Sequence, residues 1–247
     1  MIFYGCAAVA CIMIVNYSSA IMFNSCPTRS PAIKHPLTLR DRIGVIADSH
    51  GNIASMTDCI QRLTQHCADT IVHLGDFFDS EIHHNLKNIV DIITSNNILA
   101  IKGNNDYQIE KLLDNGHSMD LGPSDRQRLR QFLRSLALNF TSGSFCFAHS
   151  RPFDSIRAFY EPVDTGSTEQ AAIIFRHTNH HVLFCGHSHL PMLFRWRSGI
   201  VTREPIQERN PVVFHQNERY IVIVGSSDKG ECGFIDREKM VYERIRL

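Results

Sequence analysis

An excess of charge of either sign is missing from this 247-residue chain, in which lysine plus arginine and aspartate plus glutamate number 25 each. No global basic field exists to recruit nucleic acid, and no acidic excess points to a disordered solvating tail. A phosphate-bearing substrate would therefore have to be held locally. A cysteine framework is missing too. The eight cysteines, at 6, 11, 26, 59, 67, 146, 185 and 232, are scattered and form no C-x-x-C, so they read as reduced thiols, which favours the cytoplasm. Cys146 and Cys185 sit inside apolar runs and are expected to be small buried hydrophobes. Internal repeats and low-complexity tracts are likewise absent, which excludes solenoid architectures.

Charge is also absent from the first 24 residues, a stretch long and apolar enough for a membrane-spanning helix or a signal segment. Its flanks fit neither well, since no positive residue precedes it and Phe23-Asn24-Ser25-Cys26 is a poor processing site. Three readings stay open: an extension outside the fold with Met22 as an alternative start, a membrane anchor, or a secretion signal. Pro27, Pro31 and Pro36 mark residues 25–39 as a linker. The expected organisation is an extension and linker over 1–40 and one domain over 41–247. Membrane contact is expected only through residues 1–24.

Histidine, by contrast, is abundant at 14 residues, and imidazole is the side chain most used by transition metals. From Arg42 onward, short apolar runs alternate with helical stretches, the pattern of an α/β domain. Ile43–Ala47 reads as a strand ending at Asp48-Ser49-His50-Gly51-Asn52, with a helix to Cys67. Ile71–Leu74 is a second strand ending at Gly75-Asp76. Helical spacing follows from Ile82 to Ser95, and Ile98–Ile101 is a third strand ending at Gly103-Asn104-Asn105-Asp106. Ser124-x-x-Gln127 and Ser167-x-x-Gln170 read as capping boxes opening helices to Leu136 and Thr178. The strand Phe145–Ala148 runs into His149, and Val182–Cys185 into Gly186-His187-Ser188-His189. Beyond Met192, six short runs read as antiparallel strands of a second sheet packed on a parallel first one.

Taken alone the polar clusters read more often as turns, except Gly186-His187-Ser188-His189, whose histidines at i and i+2 can reach two neighbouring ions. Together, seven oxygen and imidazole ligands lie at five successive strand ends, and that edge is where open α/β sheets bind ligands. Mixed N and O donors suit Mn, Fe, Zn or Ni. The order D-x-H, G-D, G-N-x-D, H, G-H-x-H resembles the calcineurin-like metallophosphoesterase superfamily, in its small single-domain bacterial and archaeal branch. The resemblance runs from Arg42 to the C-terminus. It implies an α/β fold, a two-sheet β-sandwich flanked by helices in four layers. It places Asp48, His50 and His189 on one divalent ion and Asn104, His149 and His187 on a second, with Asp76 bridging. The implied reaction is in-line attack on a phosphate ester by a hydroxide bridging two ions, Mn²⁺ being the expected metal.

Two departures from the family pattern bear on catalysis. The third position of G-N-x-D, often a proton-donating histidine, is Asn105 here. Losing that acid favours leaving groups of low pKa and so a phosphodiesterase. His117 is a candidate substitute, and Asp106 is left to order its loop. After His149 the usual glycine is replaced by Ser150-Arg151-Pro152-Phe153. Arg151 and Arg157 are candidate phosphate contacts, with a solvated-loop role as the plain alternative. The remaining histidines, His73 among them, are expected in core or surface roles. The alternatives to a diesterase are a phosphomonoesterase and a non-catalytic scaffold for protein partners, such as the retromer subunit that uses this fold.

Overall fold

Two stacked sheets emerge from strands whose side chains alternate between two apolar environments. The computed structural model describes residues 39–117 and 119–247, so the apolar stretch over 1–24 and nearly all of the linker lie outside the described residues. The first sheet contains β1 (Arg42–Ile46), β2 (Thr70–His73), β3 (Leu99–Ala100), β9 (Val212–Val213), β11 (Glu231–Asp236) and β12 (Val241–Arg246), in the order β3-β2-β1-β11-β12-β9. The second contains β4 (Asn139–Ser142), β5 (Phe145–Ala148), β6 (Val182–Cys185), β7 (Met192–Arg197), β8 (Ile200–Pro205) and β10 (Arg219–Ile223), in the order β4-β5-β6-β10-β7-β8.

Inward residues of both sheets form the central core, including Val45, Val72, Phe145, Phe147, Phe184, Val222 and Tyr242. The intervening residues face outward. Cys146, Ala148, Leu183, Cys185, Ile221 and Ile223 pack on α6 (Glu169–His177) through Ala171, Ile174 and Phe175. Both Cys146 and Cys185 are fully buried, as expected, and burial raises the Cys146 thiol to about 12. Ile46 faces α1 (Ile53–Gln65) and α2 (Leu86–Ser95), whose apolar stripes are Met56, Cys59, Ile60, Leu63 and Leu86, Ile89, Val90, Ile93. This spacing of three and four residues buries one helical face. The result is the four-layer α/β/β/α sandwich.

Both sheets are mixed, which corrects the expected division into a parallel first half and an antiparallel second half. β1 pairs with β2 in parallel on one side and with β11 antiparallel on the other. β10 likewise pairs with β6 in parallel and β7 antiparallel. Late strands thus complete both sheets, because each parallel trio leaves an unpaired edge.

Several local expectations shift. The second helix starts at Leu86, not Ile82: Asp79 Oδ1 accepts from the N–H groups of Glu81 and Ile82, holding that segment as a loop, and Asn85 is left-handed at φ 61°. The polar run after Gly103 is a helix, α3 (Asn104–Asp114), followed by α4 (Pro123–Ser135). Neither capping box forms. Gly122 is the N-cap of α4 with Pro123 at its first position, and Thr168 caps α6 without a side-chain bond. Leu39 already belongs to the core, its N–H donating to Ser142 Oγ at 3.2 Å.

Candidate metal centre

Five of the seven candidate ligands sit in a backbone region that side chains disfavour: Asp48 at φ 53°, His50 at 43°, Asp76 at 56°, His187 at 66° and His189 at 56°. Each such residue costs about 1 to 3 kcal/mol unless its surroundings impose it. Here the loops brace one another. The N–H groups of Asp48, His50 and Gly51 donate to the carbonyls of Gly75, Asp76 and Phe77 at 3.0, 3.1 and 3.0 Å. The His187 N–H donates to Asp48 Oδ2 at 2.9 Å, and the Gly186 N–H to the His149 carbonyl at 2.9 Å. The late Gly225-Ser226 turn completes the frame: Ser226 Oγ donates to the Asp48 carbonyl at 2.8 Å and the Ser227 N–H to that of Ala47 at 2.7 Å.

Two groups of donors result, Asp48 with His50 and His189, and Asp76 with His149 and His187, each with its ligand atoms within 4.8 Å of one another. In the first, His50 Nε2 lies 3.0 Å from His189 Nε2, which lies 3.4 Å from Asp48 Oδ1. In the second, His149 Nε2 lies 3.2 Å from His187 Nδ1, 3.5 Å from Asp76 Oδ2 and 3.0 Å from Asn104 Oδ1. Donors bound at about 2.1 Å to one tetrahedral or octahedral ion stand about 3.0 to 3.4 Å apart. The spacing and the N/O donor chemistry therefore fit one divalent ion per group.

The His149 tautomer and the neutral His187 ring agree with that fit. His149 Nδ1 donates to the Leu74 carbonyl at 2.9 Å, leaving the Nε2 lone pair directed into the cage. Burial, with the neighbouring His149, lowers His187 to about 4, so its ring is neutral at ordinary pH. Burial alone would raise the Asp48 carboxyl, yet the side-chain bond to His189, together with the histidines around it, holds it below its usual range. Gly103 and Gly186 are required for close approach: a Cβ at Gly103 would overlap Asp76 Oδ1, and one at Gly186 would overlap Asp48 Oδ2.

Asn105 and Asp106 open α3 beside this cage. Asn105 Nδ2 donates to Asp76 Oδ2 at 2.6 Å and its N–H to Asp76 Oδ1 at 2.9 Å. Asp106 Oδ2 accepts from the N–H groups of Asp76 and Gly103, both at 2.8 Å, and Oδ1 from that of Phe78. It touches no imidazole in these bonds and orders its loop, while burial and then the Asp76 charge raise its carboxyl to about 8. Arg151 pairs with Glu161 and donates to Gln170 at 2.8 Å, and the exposed Arg157 pairs with the same Glu161. His117 lies beyond the far end of α3, about 16 Å along a helix of 11 residues. It is therefore no substitute for a proton donor at position 105.

One residue was not legible as part of this assembly. His73, fully buried, stands 2.7 Å from Ser49 Oγ, which stands 2.7 Å from Ser227 Oγ. Its Nδ1 accepts from the Gly75 N–H at 3.2 Å, so Nε2 carries the proton and donates to Ser49. This chain links the two ligand loops to the late turn, and its only sequence signal was a histidine three residues before Asp76.

The fold and the two donor groups define a metal-dependent phosphoesterase. Residues 42–205 match the model of the calcineurin-like phosphoesterase superfamily domain, and the chain belongs to that superfamily. It is thus a hydrolase of phosphate ester bonds. Among solved structures, a metallophosphoesterase from Sphaerobacter thermophilus superposes with TM-score 0.68 at 18% identity, over 85% of this chain and 88% of that one. A hypothetical protein from Pyrococcus horikoshii OT3 gives 0.56 at 15% identity, over 83% and 87%. No curated protein matches this chain in sequence. No helix among the described residues is long and apolar enough to cross a membrane.

Proposed function

We propose that the two donor groups bind two divalent ions, Mn²⁺ in the first instance and Fe, Zn or Ni as alternatives, and that the enzyme hydrolyses small phosphodiesters. The observation that carries this reading is the donor spacing: six side chains in two groups, with Asn104 beside the second and Asp76 held between the loops. Such an ion pair activates water and screens the charge of an in-line displacement at phosphorus. The protein's own contribution is orientation. Leu74 sets the His149 tautomer, Asn105 holds both oxygens of Asp76, and Asp106 holds the loop that presents them.

The diester preference rests on Asn105, whose amide has no proton to give a leaving group. An ester whose leaving oxygen is already a weak base is served best. Arg151 and Arg157 are proposed phosphate contacts only on release from Glu161, since a guanidinium committed to a carboxylate offers less to a phosphate. A small phosphate ester is the proposed partner and the cytoplasm the proposed location.

Metal-stripped protein assayed on bis-p-nitrophenyl phosphate and p-nitrophenyl phosphate, with and without Mn²⁺, tests this reading. Diester turnover restored by Mn²⁺ supports it. A preference for the monoester assigns a phosphatase instead, and no turnover with either, despite two bound ions, rejects the small-diester reading in favour of a narrow specificity or a binding role.

A further inference from the structure

Seven large apolar side chains are exposed among the described residues, and four of them, Ile82, Ile156, Tyr160 and Leu190, lie in segments that directly follow a ligand-bearing strand end. Ile82 belongs to the loop after Asp76, Ile156 and Tyr160 to the short helix α5 (Ile156–Tyr160) after His149, and Leu190 adjoins His189. Single exposed apolar residues need no explanation, but four that each follow a ligand-bearing strand end call for one.

Tyr160, the aromatic one of the four, is tied to the segments of the second donor group from both sides. Tyr107 lies three residues beyond Asn104 on α3, one turn on the same helical face. Its ring centroid is 5.5 Å from that of Phe159, which is 5.0 Å from that of Tyr160. On the other side, the Arg151 N–H donates to the Ala158 carbonyl at 3.1 Å and Ser150 Oγ to the Glu161 carbonyl at 2.6 Å, fastening α5 to the segment that carries His149. Phe159 is buried and braces the two tyrosines, while Tyr160 is 37% exposed. Burial raises the Tyr160 phenol, with smaller contributions from Tyr107 and from the Asp76 charge.

We infer that Tyr160, backed by Phe159 and Tyr107, is a stacking platform for a planar aromatic ring carried by the phosphate ester. A buried ring fixes the platform, an exposed one offers a face, and the cage beside it fixes where the phosphorus sits. The neutral overall charge and the commitment of Arg151 and Arg157 to Glu161 leave stacking, rather than long-range attraction, as the means of holding the organic part of the substrate. Stacking on an aromatic side chain is worth about 5- to 150-fold in affinity. The inference rests on the proposed metal centre, which would hold the phosphoryl group.

The test is binding of phenylphosphonate and methylphosphonate to the Mn²⁺-loaded full chain by calorimetry. Neither is a hydrolysable ester, so leaving-group reactivity does not enter. The wild type is expected to bind the phenyl compound at least tenfold more tightly. Tyr160→Ala should bring the two within twofold at unchanged Mn²⁺ stoichiometry, and Tyr160→Phe should keep the preference. Equal affinities in the wild type, or a preference that survives Tyr160→Ala, overturn the platform alone. Failure of both phosphonates to bind overturns the metal-centre reading as well. Adenosine 5′-monophosphate compared with ribose 5-phosphate separates the two sources of the ring. A tenfold preference for the nucleotide identifies a base, and parity beside an intact phenyl preference identifies an aryl ester.

Discussion

Asn105 grips Asp76 through both carboxylate oxygens, donating from Nδ2 at 2.6 Å and from its backbone N–H at 2.9 Å. The position that supplies a leaving-group proton in many relatives is here a clamp on the carboxylate of the second donor group. Asn105→His reintroduces an ionisable donor and gives up the side-chain half of that clamp. The kcat/KM on an alkyl phosphodiester, divided by that on a p-nitrophenyl diester, is expected to rise at least about tenfold. An unchanged ratio would show that protonation of the leaving group comes from elsewhere.

Close backbone approach yields a second expectation. Gly103 has φ −97°, which alanine adopts freely, so the penalty of Gly103→Ala is purely the overlap of its Cβ with Asp76. Displacing that carboxylate by about 1 Å is expected to lower kcat/KM by about 100-fold. Gly116 provides the contrast, with φ +79° and nothing within 4 Å of a Cβ. Gly116→Ala should cost about 1 kcal/mol of stability through backbone strain and leave turnover intact.

Burial lowers His73 to about 3, whereas in the unfolded chain it titrates near its model value of 6.5. The unfolded state therefore takes up a proton that the folded state refuses, and stability falls as pH drops from 6.5 towards 3. The slope for one proton is about 1.4 kcal/mol per pH unit. Urea unfolding of metal-free protein should show this component in the wild type and lack it in His73→Gln. Parallel pH profiles would contradict the buried neutral assignment. Ser49→Ala, which leaves His73 Nε2 and Ser227 Oγ without their partner, should destabilise by about 1 to 3 kcal/mol.

The seven candidate ligands were legible because each follows a short apolar run at a strand's C-terminal end, where a glycine or a turn releases the chain. Phe145–Ala148 and Val182–Cys185 coincide with their expected strands. Helix α3 was not legible, since Gly-Asn-Asn-Asp reads as a loop by composition. Its first turn is held by Asp106 accepting from Gly103 and Asp76, a contact between segments 30 residues apart. Pairing of β1 with β11 joins segments about 190 residues apart, and no local pattern encodes it. The apparent capping box at Ser124 failed because proline at position 123 fixed the start of α4 one residue before it, outweighing the side-chain signal. His73 was read as an ordinary strand residue because its partners, Ser49 and Ser227, come from distant loops.

The central claim is that Asp76 joins two ions in one cage. Mn²⁺ bound per chain, counted by calorimetry on stripped wild type and on Asp76→Ala, tests it most directly. The account predicts two ions on the wild type, neither held tightly by the variant, and hydrolysis by the variant reduced at least about 1,000-fold. A wild type that binds a single ion, or an Asp76→Ala protein that keeps two ions and full turnover, would contradict it.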